Sequence, residues 1–188
     1  MRGLRNAALL GMAVTAVAAQ LSAGTVMGLA AAKPGAGRSK VTIPVYVQLD
    51  ETTRSDSGVD FNPQSIAFRV KYSPVEAVKS VRVRRAGVLS ALEPLFEAAP
   101  SASDASSYIG SFSEDTSRIP FSRGERNVVA ELEIVLAEGA TLDQVSFKLD
   151  PEVTLLSSQD GTLSVSPARG SLRLSHEPAV AGEQRVRE

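Results

Sequence analysis

The stretch Ile66–Leu89, IAFRVKYSPVEAVKSVRVRRAGVL, restricts the fold more than any other part of the chain. Ile66, Phe68, Val70 and Tyr72 are apolar or aromatic at every second position, with Arg69 and Lys71 between them, which is the period of a strand that buries one face. Ser73-Pro74 ends that strand, because proline has no N–H for a ladder and pushes its predecessor out of the helical region. Beyond this corner Val81 and Val83 alternate with Arg82 and Arg84, until Gly87 stops the run. Two alternating runs joined by a proline corner predict an antiparallel all-β domain.

With 188 residues the chain is long enough for one domain with its own core. It has no cysteine, so neither disulfides nor a zinc-thiolate site stabilises it. The formal net charge is −1, with 20 basic and 21 acidic residues interspersed, and this excludes the basic footprint of a nucleic-acid binder. Aromatic residues are 5% of the chain and tryptophan is absent, which weakens any sugar-stacking platform.

Arg2 and Arg5 precede an uncharged run, Ala7–Ala32, in the layout of an export leader. Ala16/Ala18 and Ala30/Ala32 are two small-residue processing sites. The second lies beside polar Lys33-Pro34, so the expected division is a leader over 1–32, a linker over 33–40, a domain over 41–175 and a tail over 176–188. The chain is then secreted, periplasmic or extracellular. Left uncleaved, the same run would be a membrane anchor, for which Thr15, Gln20, Ser22, Gly24, Thr25 and Gly28 make it poorly suited.

Val41–Leu49 alternates as a first strand, where Pro44 argues for an edge position or a bulge. The following DETTRSDSGVDFNP is turn-rich and carries Asp50, Glu51, Asp56 and Asp60; it lacks EF-hand spacing and reads as a solvated loop rather than a calcium site. Val88–Phe96 has mixed spacing compatible with a helical turn or a short strand, and Ser101–Ser107 reads as an exposed loop. Tyr108–Ser113 is a strand with Tyr108 and Phe112 on one face and Ile109 on the other. The polar loop Ser113–Arg126 follows, turned at Gly124. In Asn127–Leu136, Val128, Ala130, Leu132, Ile134 and Leu136 form the apolar face of a strand predicted to cross the middle of a sheet. Shorter runs follow at Val145/Phe147/Leu149, Leu163/Val165 and Leu172/Leu174. About eight short strands separated by turns predict a β-sandwich. Its expected core includes Val45, Val47, Phe68, Val70, Val81, Val83, Leu132, Ile134, Phe147 and Leu172.

The stretches VTIPVYV, IAFRVKYSPVEAVKSVRV, NVVAELEIVL, VSFKLD and GTLSVSPARGSLRL, in this order over residues 41–174, resemble the cohesin domain, a jelly-roll β-sandwich that binds dockerin modules. Asn62-Pro63-Gln64-Ser65, after a long loop, departs from the family's glycine-led entry to the second strand. The resemblance implies a non-catalytic module that recruits a dockerin-like or other protein partner. It also implies that Val81–Arg85, Tyr108–Phe112, Val128–Leu136 and Leu163–Val165 share the partner-binding sheet. Alternation sends Arg82, Arg84, Glu131 and Glu133 outward on that sheet, as a partner face or as a solvated ladder of paired charges. An adhesive envelope protein that binds glycan, a polysaccharide or matrix is the alternative.

Catalysis finds little support in the residues. The one histidine, His176, follows the last strand, so no triad or zinc ligand set is held on a rigid frame. Glu131 and Glu133 are spaced as two outward positions of one strand rather than as a glycosidase pair, and no phosphate-binding glycine loop is present. The expectation is no enzyme, no cofactor and no metal.

Overall fold

The computed structural model describes residues 25–35, 39–52, 62–112, 119–158, 161–164 and 166–167. Among the described residues there are twelve strands: β1 Val26–Leu29, β2 Lys33–Pro34, β3 Lys40–Gln48, β4 Ser65–Ser73, β5 Val78–Arg85, β6 Pro94–Ala98, β7 Ala105–Phe112, β8 Asn127–Leu136, β9 Ser146–Leu149, β10 Leu155–Ser158, β11 Gly161–Ser164 and β12 Ser166–Pro167. They form two sheets. The first runs β12-β1-β3-β8-β5 with β2 beside β3, and the second runs β11-β10-β4-β7-β6 with β9 beside β4. Every pairing is antiparallel except β1 with β12. The chain passes between sheets from β3 to β4, β4 to β5, β5 to β6, β7 to β8, β8 to β9 and β11 to β12, as a jelly-roll sandwich does.

The core lies between the sheets because the predicted alternation holds. Val45, Val47, Phe68, Val70, Val81, Val83, Leu132, Ile134 and Phe147 are all buried, while Leu172 is outside the described residues. Phe68 stacks on Tyr108 with ring centroids 5.6 Å apart, and Tyr72 tilts against Phe147. Between β5 and β6 the 3₁₀ turn Gly87–Leu89 drops Leu89 fully into the core, and Pro94 then opens β6, which resolves the mixed spacing of Val88–Phe96.

Three local expectations change. Pro44 lies in an interior strand, not at an edge. Its carbonyl accepts from the Ala30 N–H, so its ring nitrogen faces the gap between β1 and β2, where no ladder partner is needed. The bulge occurs one residue later, with a register shift between Val45 and Tyr46. Across from it β8 gains a residue, so Val129 is fully buried beside Ala130, and Val128 leaves the core face that strict alternation assigned to it. Ser101–Ser107 is only partly a loop, because β7 starts at Ala105, and Ala105 and Ser106 are buried. The Ser106 hydroxyl is satisfied by the Val81 carbonyl at 3.3 Å across the sandwich.

The larger difference is at the N-terminal end. Val26–Leu29 and Lys33–Pro34, which the sequence pattern assigns to leader and linker, form β1 and β2. Met27 is fully buried in the core, and Leu29 and Ala32 pack against it.

Candidate functional site

Arg82, Arg84, Glu131 and Glu133 do share one outer face. Register sets Arg82 opposite Glu133 and Arg84 opposite Glu131 across β5 and β8. The Arg84 guanidinium donates to Glu131 at 3.1 Å and reaches Glu133 at 3.2 Å. The strand grouping is otherwise corrected: β5 and β8 lie in the first sheet, whereas Tyr108–Phe112 and the Leu163 strand lie in the second. Alternation specifies which face a side chain takes but not which strands are neighbours, and the crossing after β5 separates these pairs. Arg84 spans two carboxylates of its own sheet, so much of this face's charge is neutralised in place.

The outer face of the second sheet is organised differently, in rows that run across the strands. One row is Phe96, Ser111, Ser65 and Ser157, in which the Ser65 hydroxyl donates to Ser111 at 3.0 Å. The next is Ala98, Ile109, Ala67 and Leu155. Ile109 is 40% exposed, Phe96 55% and Leu95 73%, three of the large apolar side chains that face solvent. Their row neighbours Ser111, Ser65, Ala98 and Ala67 are small. This cluster is partly legible in the sequence, since Ile109 lies on the face of its strand opposite Tyr108 and Phe112, where a polar residue is expected. Phe96 escapes notice because the Pro94–Phe96 register shift disrupts its periodicity.

A third row, Arg69 with Ser107, leads to a basic end formed by Lys71 opposite Lys148. Arg69 donates to the Ser107 hydroxyl at 3.3 Å. Beneath this end the buried Asp150 carboxylate accepts from Lys71 at 2.8 Å and lies 3.8 Å from Arg69. A cleft of about 340 Å³ adjoins it, lined in part by Arg69, Lys71, Ser101 and Asp104. The Lys71 hydrogen bond, with the Glu152 N–H, holds the Asp150 carboxyl below the usual aspartate range, and Asp150 in turn raises Lys71. A depressed folded-state carboxyl contributes stability above its unfolded value and loses it as pH falls through the folded one. Acid unfolding followed by tryptophan-independent probes such as far-UV circular dichroism is therefore expected to show an Asp150-dependent loss beginning below about pH 4. Asp150→Asn should flatten that part of the profile; an unchanged acid limb would remove Asp150 from it.

Elsewhere, Tyr108 donates to Glu97 at 2.9 Å, and burial first, then Glu97, raises its phenol. Asp50 accepts from the Thr52 hydroxyl at 2.7 Å; Asp56 and Asp60 of the acidic loop, and His176, lie outside the described residues. Among the described residues there is no group of three or more His, Asp or Glu able to hold a metal, and no helix long and apolar enough to cross a membrane.

No protein-family model matches the chain, and no curated protein matches it. Solved structures do. The sixth cohesin of Acetivibrio cellulolyticus scaffoldin B, solved in complex with a Cel5 dockerin, aligns with a TM-score of 0.55 at 12% identity, covering 81% of this chain and 99% of that one. A Clostridium thermocellum OlpA cohesin in complex with Doc918 gives 0.55 at 7% identity, covering 77% and 94%. A type II cohesin from the Acetivibrio cellulolyticus cellulosome gives 0.52 at 12% identity, covering 78% and 92%. Matched along nearly the whole length of each of these domains, the chain has a cohesin-like fold, an antiparallel jelly-roll β-sandwich.

Proposed function

We propose that the chain is an exported, non-catalytic module that holds a dockerin-like protein partner on the outer face of its second sheet. The observation that carries this reading is that Phe96 and Ile109, in neighbouring rows of that face, are exposed large apolar side chains, with exposed Leu95 at the register shift beside Phe96. Desolvating these side chains against a partner is favourable, and the small row neighbours Ser111, Ser65, Ala98 and Ala67 put little bulk in the way of close approach. The basic end at Arg69, Lys71 and Lys148 suits acidic groups on the same partner and gives the complex a direction along the strands. The similar cohesins solved with dockerins support the partner class. The ladder of Arg82, Arg84, Glu131 and Glu133 is the competing face, weakened as a site because Arg84 is already engaged by both glutamates.

Titration of purified dockerin modules over the immobilised domain tests this. A cognate module should lose about thirty-fold or more in affinity against Phe96→Asp with Ile109→Asp, the size expected when a central apolar contact is lost. Arg82→Glu with Arg84→Glu should change it less than about three-fold. The reverse ranking would move the site to the first sheet. Binding of polysaccharide but no dockerin, again lost in the Phe96/Ile109 variant, would support the adhesive alternative instead.

A further inference from the structure

We infer that the export leader is processed after Ala18, so that the mature chain begins at Ala19 and keeps Val26–Leu29 as a structural strand. The inference rests on the leader-like start of the sequence and on three features of β1. First, β1 lies between two other strands, pairing antiparallel with β3 from Val26↔Gln48 to Leu29↔Val45 and parallel with β12 at Val26↔Ser166 and Met27↔Pro167. Removing it would strip β3 of that ladder and detach β12 from the first sheet. Second, Met27 is fully buried within the common core. Third, Gly28 lies directly under the Tyr46 ring, where a Cβ would collide with the ring and its hydroxyl. Arg126 covers the same ring, 4.8 Å from its centroid. VMGL thus matches its place residue by residue: a large apolar side chain inward, and none where an aromatic ring lies flat.

Cleavage after Ala32 would discard all of this. Cleavage after Ala18 leaves Arg2 and Arg5 as the charged start, Ala7–Thr15 as an apolar stretch of the usual length of about 7–15 residues, and Ala16-Val17-Ala18 as the small-residue site.

N-terminal sequencing and intact mass of the protein recovered from its native host's extracellular and membrane fractions test the site. A mature start at Ala19 is expected. A start at any other residue, Lys33 above all, or a full-length chain in the membrane, overturns the assignment. Thermal unfolding of purified chains beginning at Ala19 and at Lys33 tests the reason for it. The shorter chain should melt about 10 °C lower or fail to fold, and equal melting would show that β1 does not hold the sandwich together.

Discussion

Phe68→Ala should destabilise the domain by about 3–5 kcal/mol, the range for truncating a fully buried phenylalanine. Phe68 has no exposed surface, sits mid-strand in β4, and stacks on Tyr108 at an interplanar angle of 28°. The loss combines the ring's transfer out of water with an unfilled void, because two hydrogen-bonded sheets cannot close over it without breaking register. Tyr108 would lose its stacking partner while its hydroxyl remains tied to Glu97, so it cannot swing freely into the space. Chemical unfolding at neutral pH checks this against Leu95→Ala, which removes a larger share of exposed surface from β6 and should cost within about 0.5 kcal/mol. Comparable losses for the two variants would mean that β4 is assigned the wrong face.

That comparison bears on how much was legible in the sequence. Period-2 alternation marks Phe68, Val70, Leu132 and Ile134 as inward residues without any structure, because a strand has only two faces and one of them must be buried. Alternation fails where the backbone adds a residue, as at Val129, since the bulge shifts the period without leaving a mark in the composition. It also carries no information about neighbours. Arg82, Arg84, Glu131 and Glu133 are all sent outward by alternation, while the pairing of Arg82 with Glu133 comes from the structure, and the expected grouping of their strands in one sheet with Tyr108 fails because the crossing between sheets depends on the turn after β5. β1 was hidden for another reason: an apolar VMGL inside an uncharged run satisfies the pattern of a leader as well as that of a buried strand. β10, with the short run Leu155–Ser158, has too few residues to establish a period.

The candidate surface follows the same division. Ile109 could be picked out from its strand alone, as an apolar residue where alternation calls for a polar one. Its significance depends on Ala67, Ala98 and Leu155 lying in its row, and those come from three strands whose adjacency only the folded topology supplies. The basic end is likewise assembled from β4 and β9. A binding face of this kind is a property of register, so its residues are distant in sequence and share no motif.

Gly87→Ala is the second substitution expected to have a large effect, about 2–4 kcal/mol, although it adds a single methyl group. Gly87 adopts φ +55°, a left-handed conformation in which an L side chain is strained. Its added Cβ would also meet the Val128 backbone carbonyl and Val128 Cβ, which are parts of β8 and cannot rotate away as the end of a flexible side chain could. The neighbouring Ala86 N–H bonds to the Val129 carbonyl at 3.1 Å, so the turn is fastened to β8 at the bulge. Relieving the clash means lifting the turn, and Leu89, fully buried at its far end, would be drawn out of the core with it. Chemical unfolding should therefore show a large loss for Gly87→Ala, whereas Gly139→Ala should cost less. Gly139 shares the positive φ, at +76°, but its Cβ would meet nothing within 4 Å, so only the conformational penalty applies there. Equal losses at the two glycines would mean that backbone strain alone accounts for both and that the turn does not press on β8.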